Sequence, residues 1–218
     1  NYMKNIDRPK QVKVRQMVTL SVNEVKNFLS NISNTEHHAL FKLAFATGMR
    51  RSELLGLRWS DIDFKKSTIS ISQTALKIGS TAVISNTTKT TSSKRIIAID
   101  TETLQELMKH KTVIDKRRIK TMNWINNNLV FPGIKGAPRC PDEVSKLCKK
   151  YANLIGKPSF TMHGTRHTHA TLLIENGANM KAIQERLGHA SFQETMDTYS
   201  HVTPKMEDDI VERISKIF

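Results

Sequence analysis

Several features are scarce in this 218-residue sequence, and each shortage argues against a class of protein. The two cysteines, Cys140 and Cys148, form no CxxC pair, so neither a disulfide framework nor a cysteine zinc site is expected. We predict two free thiols in a reducing compartment. No long apolar run is present, which argues against a transmembrane helix, and the first residues lack the apolar stretch of a signal peptide. These absences predict a cytoplasmic protein.

Acidic residues are also in the minority. The chain has 20 Asp and Glu against 34 Lys and Arg, which gives a formal net charge of +14 and a pI of about 9.9. Such an excess favours a polyanionic partner, with nucleic acid as the first candidate and an acidic membrane surface as the second. A basic soluble domain without such a partner is the remaining alternative.

The apolar pattern predicts a mostly α fold with one small antiparallel three-stranded β-sheet (α+β). Strands are expected in 62–73 and on both sides of a polar hairpin tip at 86–93, where β-branched residues alternate with polar ones. Ser21 and Glu24 have the spacing of a capping box, and Thr47–Gly48 separates two helices. Periodic apolar residues predict the helices in segments 19–29, 37–63 (two helices), 100–120, 141–155, 163–177, 179–188, 191–202 and 204–218.

The stretch HGTRHTHATLL, residues 163–173, concentrates three histidines and an arginine at a predicted helix start. His163 and His167 have the i,i+4 spacing of a zinc site, but too few further ligands surround them for a metal site to be expected. His163 and Arg166 instead suit a phosphodiester, because helix N-termini attract anions and Arg offers a two-pronged hydrogen bond. His167 and His169 are predicted to be structural, one in the core and one on the surface.

Other polar residues can be interpreted either as ordinary structural residues or as parts of an active site. Arg50 and Glu53 are three residues apart at a helix start, so the carboxylate could hold the guanidinium or form an ordinary surface pair. Lys89 lies at the predicted hairpin tip, where a lysine could reach a ligand or simply be solvated. His189 follows Gly188 at a helix end and could be a cap. Tyr199 has polar neighbours and could serve as a nucleophile if its pKa were lowered.

Taken in chain order, these residues resemble the signature of the tyrosine recombinases, specifically phage and conjugative-transposon integrases. The resemblance extends over the segments TGMRRSELLGLRWSDID, KTTSSKR, HGTRHTHATLLIENG and IQERLGHASFQETMDTYSHV. The sequence differs from the motifs that are usual in the family at Thr88, Gly164 and Thr165. The six residues that match the family's catalytic positions are Arg50, Lys89, His163, Arg166, His189 and Tyr199.

The resemblance implies a mechanism for these residues. Arg50 and Arg166 would clamp the scissile phosphate, and Tyr199 would attack it to form a 3′-phosphotyrosyl bond. Lys89 would protonate the leaving 5′-oxygen, His163 would assist proton transfer, and His189 would donate a hydrogen bond to the phosphate. Glu53 would support Arg50. Members of this family use no metal, nucleotide or other cofactor, so none is expected here.

The resemblance also implies the domain organisation and the partners. Residues 1–18 would be a basic interdomain linker and 19–218 a catalytic domain, with 203–218 a C-terminal helix that subunits could exchange. Family members carry an arm-binding and a core-binding domain ahead of this one, and neither is in this sequence. Double-stranded DNA, a homotetramer on DNA, and accessory directionality or bending proteins are the expected partners, in the bacterial nucleoid.

The function expected from this resemblance is site-specific recombination that integrates or excises a mobile element. Three alternatives remain at this point. A type IB topoisomerase-like enzyme would use similar residues but reseal the same strand. A basic DNA-binding module without catalysis would need none of them. A metal-dependent hydrolase would be built on the histidine cluster.

Overall fold

The structure is a computed structural model that describes residues 17–79, 81–85 and 95–188. Within these ranges the chain is mostly helical, as predicted, and small antiparallel sheets fill the space between the third and fourth helices. The helices are α1 (Val22–Ser30), α2 (Thr35–Thr47), α3 (Arg51–Gly56), α4 (Thr101–Lys120), α5 (Pro141–Leu154), α6 (Met162–Glu175) and α7 (Met180–Leu187). The strands are β1 (Ile62–Asp63), β2 (Thr68–Ile71), β3 (Thr74–Ile78), β4 (Thr81–Ser85) and β5 (Arg95–Ala98).

Helix α2 is the centre of the core, and its sequence explains why. Eight of its thirteen residues are buried, because it packs between α4 on one side and α6 on the other. Phe28 from α1 contacts Phe41 and Phe45 of α2 edge-on, with ring centroids 5.1 and 5.5 Å apart. Such aromatic pairs stabilise a core beyond their buried area. The result is a rigid helical body on which the C-terminal end of α2 is fixed.

The ends of the helices follow the predicted local signals. Ser21 and Glu24 form both hydrogen bonds of the capping box at α1, and α5 begins at Pro141, where the missing amide hydrogen costs no helical bond. The two cysteines are free thiols, as predicted. Burial raises the pKa of Cys148 to about 12, so this thiol behaves as a small apolar side chain.

The sheets differ from the prediction in which strands pair. A three-stranded antiparallel sheet is present, in the order β1-β2-β5, but β4 is not part of it. β4 instead pairs with β3 in a separate two-stranded sheet, from Thr74 opposite Ser85 to Ile78 opposite Thr81. The predicted hairpin joined the strands on either side of segment 86–93. Those strands, β4 and β5, belong to different sheets, because β4 pairs with β3 (Thr74–Ile78), a strand that the sequence analysis did not predict.

The turn between α2 and α3 brings three helices together. Gly48 caps α2 in the left-handed conformation, with φ of 64°, a region that glycine enters at no steric cost. A Cβ atom at this position would lie 2.7 Å from Cδ2 of His169 in α6 and 2.8 Å from Cδ2 of Leu187 in α7. The absence of a side chain therefore allows α6 and the end of α7 to approach this turn closely.

Several predicted features lie outside the described residues: most of the linker, the hairpin tip with Lys89, His189, the predicted helix 191–202 with Tyr199, and the last helix. The linker prediction covered 1–18, of which only residues 17 and 18 are described. Across the described ranges, none of the helices is long and apolar enough to cross a membrane.

Candidate active site

Arg166 is a buried arginine on α6, and a backbone carbonyl holds it in place. Helix α6 begins after Thr161, whose hydroxyl accepts a hydrogen bond from the amide of Gly164. Arg166 follows one turn later and is only 3% exposed. Its Nη1 donates to the carbonyl of Gly48 at 2.9 Å. A guanidinium cannot lose its charge in proteins, so this contact fixes a positive charge beside the turn between α2 and α3.

Arg50 reaches the same turn from the other side. It precedes α3, and its amide donates to Oε2 of Glu53 at 2.8 Å, so the carboxylate caps the helix. Its Nη1 donates to Oε1 of Glu53 at 3.0 Å, and its Nη2 donates to the carbonyl of Gly188 at 3.0 Å. The Arg50 side chain keeps 35% of its surface exposed. Glu53 therefore accepts hydrogen bonds from both the backbone and the side chain of Arg50.

Glu53 is shared with a second arginine that the sequence interpretation missed. Arg95 of β5 donates from Nη1 to Oε1 at 3.0 Å and from Nη2 to Oε2 at 2.9 Å. Burial acts to raise the pKa of Glu53, but the hydrogen bonds and charge of Arg95, together with those of Arg50, outweigh it and lower the pKa. The carboxylate is therefore ionised at neutral pH.

A sequence signal for Arg95 exists. It is two residues from Ile97, which is buried, and residues two apart on a strand share a face. A charged residue on the inward face of a strand requires a buried counter-charge. The sequence offers many acidic residues for that role, so the identity of the partner could not be predicted.

Arg50 and Arg166 line one cleft. A cavity of about 380 Å³ is lined by Arg50, by Arg166 and by His163 from the first turn of α6. The His163 side chain is exposed, yet packing removes part of the hydration of its ring. This desolvation, followed by repulsion from Arg166 and Arg50, lowers the pKa of His163. The imidazole is thus neutral at pH 7 and can accept a proton. The other residues that line the cleft are Met49, Arg51, Ser52, Ser145, Thr161 and Met162.

The remaining two histidines of the cluster are both buried, so the prediction of one on the surface was wrong. His167 and His169 are 8% and 7% exposed. His169 lies against the turn: its Nδ1 is 2.8 Å from the carbonyl of Phe45, and Nε of Arg186 donates to its Nε2 at 3.0 Å. The carbonyl requires a hydrogen on Nδ1 and the arginine requires a lone pair on Nε2, so the ring is neutral. Burial and then the charge of Arg186 lower its pKa to about 4.

The pair His163 and His167, whose i,i+4 spacing was considered for a metal site, is in ring contact. The rings of His163 and His167 meet edge to face, with centroids 4.6 Å apart and planes at 85°. In the part of the chain that the structure describes, no three His, Cys, Asp or Glu side chains are grouped in a way that could hold a metal ion.

Of the predicted site residues, the structure brings Arg50, Arg166 and His163 to one cleft. Lys89, His189 and Tyr199 lie outside the described residues. The described residues that follow Lys89 and precede His189 in the chain both belong to the arginine network: Arg95 binds Glu53, and the Gly188 carbonyl binds Arg50.

Comparison with known proteins places the chain as a whole in a family. The sequence profile of the phage integrase family matches residues 18–206. A XerC-like tyrosine recombinase of Caldanaerobacter subterraneus subsp. tengcongensis is 31% identical over 215 residues, and the integrase of Staphylococcus phage L54a is 32% identical over 205. These matches cover 93% and 90% of this chain but 55% and 58% of the two relatives, so the chain spans little more than half their length.

A solved structure supports the same relationship. The integrase of transposon Tn1549, determined in complex with transposon right end DNA, superposes with a TM-score of 0.75 at 27% identity, over 91% of this chain and 66% of that one. The XerA recombinase shares the fold, with a TM-score of 0.69. The resemblance predicted from the sequence is confirmed: the chain belongs to the phage integrase family, the tyrosine recombinases.

Proposed function

We propose that this chain is the catalytic domain of a site-specific DNA recombinase that cleaves and rejoins strands through a 3′-phosphotyrosyl intermediate. The observation that carries the proposal is the convergence of Arg50, just before α3, and Arg166, in α6, on one cleft that also contains a neutral histidine. Two fixed guanidinium groups suit the two non-bridging oxygens of a phosphodiester.

The arginines would act by electrostatic stabilisation. Negative charge builds on the non-bridging oxygens when a fifth ligand approaches phosphorus. Because protein acceptors already orient Arg50 and Arg166, little reorganisation is required at the moment of reaction. No metal is needed to supply the positive charge in this scheme.

The covalent step exchanges the 5′-oxygen on phosphorus for the tyrosine oxygen. Tyr199 Oη forms a bond to phosphorus, the bond from phosphorus to the 5′-oxygen breaks, and the phosphodiester is replaced by a phosphotyrosyl ester. His163 accepts the phenolic proton, Lys89 gives a proton to the leaving 5′-oxygen, and His189 donates a hydrogen bond to the phosphate. Attack by a 5′-hydroxyl of a second duplex reverses the chemistry and joins new strands.

The partners follow from charge and from the family. A net charge of +14 favours double-stranded DNA, whose phosphates dominate the affinity of basic proteins, and the Tn1549 integrase was solved bound to DNA. We further propose a homotetramer on DNA, assisted by directionality or bending proteins, that integrates or excises a mobile element in the bacterial cytoplasm. Residues 1–18 would link this domain to a core-binding domain.

A nicked suicide duplex tests the proposal even though the target sequence is unidentified. The probe is a pool of labelled duplexes with randomised centres and a nick close to the cleavage point, so that the short released strand diffuses away and the adduct is trapped. A protein–DNA adduct that survives a denaturing gel is expected, and sequencing of the trapped DNA identifies the site.

Two tyrosine variants make this test specific. Tyr199→Phe is expected to bind DNA and form no adduct, because only the hydroxyl is lost. Tyr151→Phe is the matched control: its hydroxyl contacts Nδ1 of His37 within the core, and a normal adduct yield is expected. Normal yield with Tyr199→Phe would refute the nucleophile. Exchange between two differently labelled duplexes supports recombination, whereas resealing of only the original strand would indicate a topoisomerase-like enzyme.

A further inference from the structure

We propose that Arg95 is a positioning residue of the active site. It fixes the orientation of Arg50, and it preserves a net positive charge on the group formed by Arg50, Glu53 and Arg95. The role of Arg95 rests on the proposed function, since the orientation matters for catalysis only if Arg50 binds the scissile phosphate. Arg95 itself faces Glu53 and the protein interior, with a side chain that is 7% exposed.

Arg95 supports both groups that accept hydrogen bonds from the Arg50 side chain. The first is Glu53, which receives two parallel hydrogen bonds from Arg95 and one from the Arg50 side chain. The second is the Gly188 carbonyl at the end of α7. Arg95 holds that end as well, because its Nε donates to the carbonyl of Arg186 at 2.7 Å. Arg95 therefore helps to hold both acceptors of Arg50, in addition to the contacts that Arg186 makes at the end of α7.

The charges give Arg95 a second effect. A buried carboxylate paired with Arg50 alone would cancel the positive charge that a phosphate needs. Glu53 is shared by two arginines, so the group of three carries a net charge of +1. Interactions of this kind are strong where water is largely excluded, and Glu53 is only 3% exposed. Loss of the Arg95 charge would leave a neutral pair facing the DNA.

Arg95 also ties this arrangement to the sheet. It is the first residue of β5, and it lies opposite Ile71 in the antiparallel pair with β2. A residue of strand β5 thus orients Arg50, which lies just before α3. In the sequence, Arg95 follows the segment that carries Lys89.

Two substitutions separate the geometric effect from the charge effect. Arg95→Lys keeps the charge and loses the two-pronged contact, whereas Arg95→Gln loses both. Single-turnover adduct formation at saturating DNA is expected to slow by ~10-fold in Arg95→Lys and by ~10²-fold in Arg95→Gln, with little change in DNA affinity. The lysine variant therefore rescues part of the rate.

Arg139→Lys is the matched control. Arg139 is a buried arginine that pairs with the carboxylate of Glu36, in the first turn of α2 and thus at the opposite end of that helix from the cleft. Its replacement removes the same kind of contact and lowers the free energy of unfolding, but the cleavage rate of the folded protein should be unchanged.

A methylphosphonate at the scissile position distinguishes positioning from general loosening of the fold. This linkage lacks one charged non-bridging oxygen, so less positive charge is needed in the transition state. The defect of Arg95→Gln is expected to shrink on one methylphosphonate diastereomer. An equal defect on phosphate and on both methylphosphonates would overturn the proposal.

A measurement on the DNA-free protein keeps this inference separate from the proposed function. Nitrogen-15 NMR signals of the Arg50 guanidinium report whether its rotation is restricted. Restriction is expected in the parent protein and in Arg139→Lys, and faster rotation in both Arg95 variants. Unchanged Arg50 signals in the variants would refute the positioning role, whether or not the parent protein forms an adduct. Altered signals in the variants of a protein that forms no adduct would refute the proposed function alone.

Discussion

Acid should destabilise this protein well above the pH at which its carboxylates protonate, because His169 must stay neutral. Its ring is held between the Phe45 carbonyl and the guanidinium of Arg186, and its pKa is lowered to about 4 from an ordinary value of 6.5. In the unfolded chain the ring binds a proton below about pH 6.5. The unfolded state therefore binds more protons than the folded state between these two values, and stability falls as pH falls through this window.

The magnitude follows from the two pKa values. Linkage of this single group gives a loss of about 2 kcal/mol in the free energy of unfolding between pH 7 and pH 5, and about 3 kcal/mol once the pH is below both values. A loss of about 2 kcal/mol is a large part of the stability of a small domain. The lowered pKa values of His37, His110 and His163 act in the same direction.

Urea denaturation followed by circular dichroism at pH 7 and pH 5 measures this loss. His169→Gln removes the titrating group and retains an amide that can hydrogen bond, so it separates His169 from the other histidines. The parent protein should lose about 2 kcal/mol more than the variant over this range. Equal losses in the two proteins would show that His169 is not held neutral as described.

Three further predictions concern the turn, the acid and the last helix. Gly48→Ala should lower the free energy of unfolding by about 2–4 kcal/mol in a urea titration, because the new Cβ meets the His169 ring and an alanine is strained in the left-handed conformation. The control is Gly79→Ala, where φ is 59° but the space around the Cβ is open, and the cost should be only about 1–2 kcal/mol. Equal costs for the two variants would refute the packing argument. Lys89→Ala should slow cleavage by ~10²–10⁴-fold, and a substrate with a 5′-bridging sulfur should restore much of the rate, since its leaving group needs no proton; failure of this selective rescue would assign the acid role elsewhere. Truncation after Thr203 should leave a folded protein that forms the half-site adduct but no four-subunit complex in native gels, whereas unfolding on truncation would mean that the last helix packs on its own domain.

Much of the local structure was predictable because its causes are local. The break at Thr47–Gly48, the capping box of Ser21 and the start of α5 at Pro141 each depend on residues within a few positions of one another. The convergence of Arg50 and Arg166 was predicted through the family resemblance. Their wide separation along the chain carries no such information by itself.

The failures have a different physical origin. The pairing of β4 with β3 rather than β5 depends on contacts between strands, and the alternation of residues within one strand does not identify its neighbour. The burial of His169 depends on Arg186 and on the Phe45 carbonyl, 124 residues away in sequence. Arg95 was missed for the same reason, since its partner Glu53 is 42 residues away. Buried polar residues are defined by partners that no local window contains.

The last turn of α7 is held in place by side-chain contacts with several other elements. Arg186 anchors it to three other elements, through the carbonyls of Ala98 and Ala46 and through His169. His189 follows Gly188 directly in the chain, so a force that acts through His189 is first opposed by these contacts of Arg186. A displacement of the Gly188 carbonyl by about 1 Å away from Arg50 would lengthen a 3.0 Å contact beyond hydrogen-bonding range. The contacts of Arg186, together with the hydrogen bond from Arg95 to its carbonyl, thus limit how far the Gly188 carbonyl can move away from Arg50.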